Sequence, residues 1–116
     1  MPNLKTLKLV DAGIKHGSLH LIGQSVPFSR LEHIDLSRNH LRAEGLATLS
    51  QAPWLSSIQK LELRDNNIRD AGINAFTQST HIKALKLLDL SGNPMTEAGK
   101  KLLLDMANKK GFRLII

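Results

Sequence analysis

The sequence predicts an α/β fold built as a stack of repeats. Leu7, Ile34, Leu61 and Leu88 stand 27 residues apart, as do Leu4, Leu31, Ile58 and Leu85, and then Leu9, Leu36, Leu63 and Leu90. Ala12, Asn39, Asn66 and Asn93 keep the same step, and so do Ile14, Leu41, Ile68 and Met95. Inside each step an i, i+2 apolar spacing is followed by an i, i+3 spacing, which reads as a strand and then a helix. Self-similarity at a period of about 20–50 residues marks architectures in which each unit buries its apolar face against its neighbours. The units run over residues 4–30, 31–57, 58–84 and 85–111, with a partial fifth at 112–116, in one domain.

Each strand ends where an Asn follows. A buried carboxamide there can donate to and accept from loop backbone groups that otherwise lack partners. Asn39, Asn66 and Asn93 are therefore expected to form a ladder beside the sheet. The helices follow from Leu46 with Leu49 and from Ile73 with Phe76. Gly45, Gly72 and Gly99 share one register near the first helical turn. Glycine weakens a helix, so its repeated use predicts close packing against the next unit. Asp70 and Thr96 are the expected N-caps. Phe28, Leu55 and Ile82 recur at the return to the strand and are expected to plug the core. Phe112 and Ile115 fall on the registers of Leu85 and Leu88, which predicts a fifth strand.

The ends of the stack differ. Leu4, Leu7, Leu9, Ile14, Leu19 and Ile22 keep apolar registers in the first unit, while Ala12 stands for the Asn and Ser18 for the Gly. A terminal repeat needs a polar outer face, so the first unit reads as uncapped. Three alternatives follow: the chain is the C-terminal part of a longer array, its first unit self-associates with another copy, or it stands as a stable bare monomer. Lys100 and Lys109 break apolar registers, so the last unit grades toward a polar end.

Composition excludes several classes. The 116 residues carry a formal charge of +6, with 41% hydrophobic residues and no cysteine. No disulfide framework or thiolate metal site is therefore available. No apolar run is long enough to span a bilayer. Met1-Pro2-Asn3-Leu4 leads directly into the first unit and does not read as a secretory leader. A cytoplasmic location is expected.

The strand positions that point away from the core form columns. One reads Thr6, His33, Lys60 and Leu87; the next Lys8, Asp35, Glu62 and Asp89; the third Val10, Ser37, Arg64 and Ser91. The middle column places three carboxylates in a row. Like charges opposite one another are unfavourable, and Lys60 and Arg64 on the diagonals could relieve them. The row reads either as an acidic strip that receives a partner's basic side chain or as ordinary usage at that register. The His33, Lys60 and Leu87 column is the more particular to this chain. Trp54 takes a register held elsewhere by Pro27, His81 and Asn108. It is either a binding hot spot or a cover over the gap between helices.

Little catalytic chemistry is legible. His16 and His20 are spaced i, i+4 without a zinc-protease pattern. His33, Asp35 and Ser37 alternate at about 6.5–7 Å per step, too far for a direct relay. There is no glycine-rich phosphate loop, and no catalytic residue, metal, cofactor or small-molecule substrate is expected. Lys100, Lys101, Lys109, Lys110 and Arg113 form a basic C-terminal group. It reads as a solvated helix face, with weak polyanion binding as the alternative. Aromatic residues are only 3%, which speaks against nucleic acid.

The runs "LEHIDLSRNHLRAEGLATL", "IQKLELRDNNIRDAGINAF" and "LKLLDLSGNPMTEAGKKLL" resemble the leucine-rich repeat family in its ribonuclease-inhibitor-like subclass, and the resemblance covers essentially the whole chain. It implies a right-handed β/α solenoid curved like a horseshoe, with a parallel sheet on the concave side and helices on the convex side. It also implies a non-catalytic scaffold that binds a protein partner on the concave face through His33, Asp35, Lys60, Glu62, Arg64, Leu87 and Asp89, with Trp54 added on the convex side. Candidate parents are innate-immune-type receptors, ribonuclease inhibitors and secreted bacterial effectors acting in a host cytosol. The lack of cysteine argues against the cysteine-rich mammalian inhibitors. In a receptor or effector the chain would be a targeting module beside a catalytic or signalling domain. Four strands span only about 15–20 Å, small against the roughly 800 Å² per partner of a standard interface.

Overall fold

The computed structural model describes residues 5–15, 17–19 and 31–116. Leu4, His16, His20, Ile22, Pro27 and Phe28 lie outside the described residues, and so do the expectations attached to them. Five strands form one parallel sheet in sequence order: β1 (Thr6–Lys8), β2 (His33–Asp35), β3 (Lys60–Glu62), β4 (Leu87–Asp89) and β5 (Arg113–Ile115). Helices alternate with them, and those whose bounds lie within the described residues are α1 (Arg42–Ser50), α2 (Asp70–Thr77) and α3 (Glu97–Lys110). A 3₁₀ turn at Pro53–Ser57 carries the chain from α1 toward β3. The expected α/β solenoid is the observed architecture.

The core lies between the sheet and the helices. Ile34, Leu61 and Leu88 pair in register along the strands and are at most 1% exposed. Leu46, Leu49, Ile73, Phe76 and Leu103 meet them from the helices and are fully buried. Each such side chain contributes roughly 1.5–3 kcal/mol. Leu55 and Ile82 are buried at the returns, as expected. Leu7, Leu9 and Ile14 of the first unit pack against the core but are only partly buried.

The amide ladder is present. Asn66 Oδ1 accepts from the backbone N–H of Asn39 (2.9 Å) and of Leu41 (3.3 Å). Its Nδ2 donates to the carbonyls of Leu36 (2.9 Å) and Arg64 (3.2 Å). Asn39 and Asn93 repeat the pattern one unit down and one unit up. Each carboxamide thus completes the loop of the unit before its own. Ala12 lacks the amide, yet its loop is completed from the next unit in the same way. Its own N–H and that of Ile14 are satisfied by Asn39 Oδ1 at 2.9 and 3.0 Å.

Three expectations need correction. Leu88 pairs with Leu114, and Ile115 lies opposite Asp89, so the fifth strand enters one residue earlier than the 27-residue step predicts. The cause is α3, which at 14 residues replaces the shorter helix and looser return of the earlier units. It ends on Gly111 at φ 80°, whose N–H returns to the Ala107 carbonyl. A slip of one residue exchanges the two faces of a strand. Leu114 therefore packs on the core, while Ile115 is exposed.

Asp70 is the first residue of α2 and not its N-cap, the position Arg69 holds without a side-chain cap. Thr96 does hold the N-cap position of α3, but its side chain makes no cap bond. The two residues serve each other across units. The Thr96 N–H donates to Asp70 Oδ1 at 2.9 Å, and its hydroxyl donates to Asp70 Oδ2. The expected close packing of glycines holds at Gly72, where a β-carbon would lie 3.2 Å from Ala43 Cα in the preceding unit. A β-carbon on Gly99 would collide with Asp70 Oδ1.

Candidate functional site

The strand registers bring the expected columns together. Thr6, His33, Lys60, Leu87 and Arg113 stand side by side on consecutive strands, as do Lys8, Asp35, Glu62, Asp89 and Ile115. Adjacent members lie about 4.8 Å apart. Three carboxylates in such a row repel one another and lose hydration if buried. They are buried all the same: Asp35 is 5% exposed, Glu62 8% and Asp89 5%.

Arg64 resolves the conflict. From the loop just after β3 its guanidinium lies 3.6 Å from Asp35 Oδ2, 3.4 Å from Glu62 Oε1 and 3.2 Å from Asp89 Oδ2. One cation thus ties three strands. The planar fork of donors suits it to several carboxylates at once. The Asp35 and Asp89 carboxylates also accept from the backbone N–H groups of Ser37 and Ser91, each at 3.0 Å. His33 Nε2 stands 2.6 Å from Glu62 Oε2 on the neighbouring strand. Lys60, the other expected reliever, makes no ion pair among the described residues.

The acidic strip is therefore not displayed as expected. The Arg64 side chain folds over it and is itself 42% exposed. A partner approaching this face meets Arg64, the half-buried His33, Lys60 and Leu87, and the exposed Lys8, Arg113 and Ile115. Every charged group on that list is a cation. The Asp35, Glu62 and Asp89 carboxylates act from beneath, by fixing Arg64 and His33.

His33, Asp35 and Ser37 form no relay. His33 turns to Glu62, and the buried Ser37 hydroxyl accepts from the Arg64 N–H at 3.2 Å. No group of three or more His, Asp or Glu that could hold a metal occurs among the described residues. Trp54 sits in the 3₁₀ turn, half-buried and packed against the core, as a cover over the helix gap requires. In the C-terminal basic group Lys100 pairs with Glu97 at 3.7 Å, and Lys101, Lys109, Lys110 and Arg113 are exposed. No described helix is long and apolar enough to cross a membrane.

Sequence reasoning missed the three-way role of Arg64 and the His33–Glu62 pair. The signal was available, because Arg64 follows the middle carboxylate of the row by two residues and carries the longest cationic side chain in its column. Residues 30–50 and 55–76 match the family model described as Leucine Rich repeat. Comparison with curated proteins gives no match.

Proposed function

From the premise that residues 30–50 and 55–76 are leucine-rich repeats, we propose that this protein is a non-catalytic scaffold that holds a protein partner on the solvent face of its sheet. Such repeats generally mediate protein binding, and the helix in each complete described unit fits the ribonuclease-inhibitor-like subclass. The observation that carries the reading is the Arg64 clamp. A side chain as flexible as arginine loses conformational entropy when a partner immobilises it. Here buried carboxylates on three strands hold it before any partner arrives. The contact residues on this reading are His33, Lys60, Arg64 and Leu87, with Asp35, Glu62 and Asp89 as their supports and Trp54 as a peripheral contributor.

The test uses the full chain as bait, in three forms: unaltered, with Lys60→Glu and Leu87→Glu together, and with Lys101→Glu on α3. A bound protein identified with the unaltered chain should bind at least about tenfold more weakly to the sheet-face variant and equally well to the α3 variant. Loss on the α3 variant alone moves the contact to the helical side and ends the proposal.

A further inference from the structure

Charge is segregated along the border where the chain returns from helix to strand. Residues 71–88 and 106–116 contain no Asp or Glu, yet they carry Lys83, Lys86, Lys109, Lys110 and Arg113. The structure brings Lys83, Lys86, Lys110 and Arg113 together. The Arg113 N–H donates to the Lys86 carbonyl at 2.9 Å, and the Lys86 N–H donates to the Gln59 carbonyl beside Lys60 at 2.7 Å. Lys110 Nζ reaches back to the Ile82 carbonyl at 3.3 Å, next to Lys83. All five cations are exposed, and none makes an ion pair among the described residues. The acids nearest in the fold are otherwise placed: Asp89 is held by Arg64, Asp105 stands on α3 one turn before Lys109, and Glu32 is separated from Lys86 by Gln59 at the strand entries.

Within this border Leu87 lies in register between Lys60 on one side and Arg113 on the other. The row of three spans about 10 Å at the usual strand spacing. In an extended peptide, residues four apart are about 13 Å apart, a difference that lysine and arginine side chains cover.

We propose that this border binds an acidic segment of a protein partner, in which carboxylate residues flank an apolar residue that seats on Leu87. The inference rests on the sheet-face reading and names the partner's chemistry there. Charge complementarity selects an anion, and Leu87 at the centre selects a peptide over a phosphate chain. Single-stranded nucleic acid is held without sequence preference by stacking on exposed aromatic rings as well as by cations, whereas the phenyl ring in this patch, Phe112, is 6% exposed.

The test is fluorescence anisotropy of the full chain with a labelled peptide in which one leucine is flanked on each side by two aspartates. Binding should weaken as salt rises, because exposed charges are screened. Lys83→Glu with Lys86→Glu should weaken it about tenfold, with circular dichroism confirming the fold. Lys101→Gln, exposed on α3 outside this border, should leave it unchanged. A peptide with serine for the leucine should bind measurably more weakly. Equal loss with Lys101→Gln, indifference to the paired reversal, or tighter binding of a single-stranded oligonucleotide of equal charge would each overturn the inference. Failure of the peptide to bind, with capture by the sheet face still intact, overturns the acidic-segment inference alone and leaves the broader reading standing.

Discussion

Asn66 shows how much one side chain can carry in a stacked fold. Its carboxamide is fully buried and satisfies two N–H groups and two carbonyls, three of the four belonging to the preceding unit. Asn66→Ala leaves those groups without partners, and each buried orphan costs about 1–3 kcal/mol. After relaxation we expect a loss of about 3–5 kcal/mol in urea denaturation. A loss under about 1 kcal/mol would show that water replaces the amide. Asp70 is a second residue with a measurable signature. The Thr96 hydroxyl and then its backbone N–H donate to the carboxylate and hold its pKa below the ordinary 3.8. A depressed carboxylate pKa means stability that is present above the unfolded value and lost as pH falls through the folded one. Carboxyl NMR should show Asp70 titrating below its ordinary value, and Thr96→Ala should move it back part of the way, because the backbone donor remains. A midpoint indifferent to Thr96→Ala would reject the assignment. The ladder was legible in sequence because three Asn at a fixed step leave one physical use for them. The Asp70–Thr96 bond was not, because an acid before a helix reads first as a cap, and only the stacking of helix starts reveals the other acceptor site.

The strands and helices were legible as elements, and their couplings were not. The i, i+2 leucines fixed which strand face is buried, and the recurring glycines foretold that α2 meets α1 closely at Gly72 and Ala43. Period alone could not foretell the early entry of β5, because it assumes that every return has the same length, whereas the longer α3 closes on Gly111. Nor does periodicity report left-handed backbone at ordinary residues. Asp11, Arg38, Asp65 and Gly92 keep one register and all have positive φ, from 51° to 74°. The glycine in that column was the available clue. Arg64 is the coupling that matters most for the sheet, since it ties β2, β3 and β4 through buried acids. Removing one member of a buried ion pair costs several kcal/mol. Because Arg64 is partly in water, about 2 kcal/mol is the expected loss for Arg64→Ala. Adding Asp89→Asn should then restore part of it by lowering the repulsion, which a double-mutant cycle measures. Strict additivity of the two changes would mean that Arg64 does not act through this row.

As a whole the molecule is a one-dimensional stack, in which each unit rests on its neighbours. Leu9, Leu36 and Leu63 make the same hydrogen bond to the next strand, at 2.8, 2.9 and 2.8 Å. Their side chains differ, Leu9 being half-buried while Leu36 and Leu63 are fully buried. Local opening follows burial more than bond length, so the Leu9 amide should exchange with solvent at least about tenfold faster than the other two. Equal rates would mean that the stack opens as a single unit. At this scale the repeat made the architecture legible from sequence, whereas the display of the sheet face depended on which long side chain folds over which acid. The direction in which each Asn reaches has a consequence for biosynthesis. A newly made unit keeps an unsatisfied loop until the group that completes it arrives with the following unit. At about 5–20 residues per second, that interval is about one to five seconds. Synthesis therefore proceeds as a ratchet, in which every newly made unit seals the one already folded.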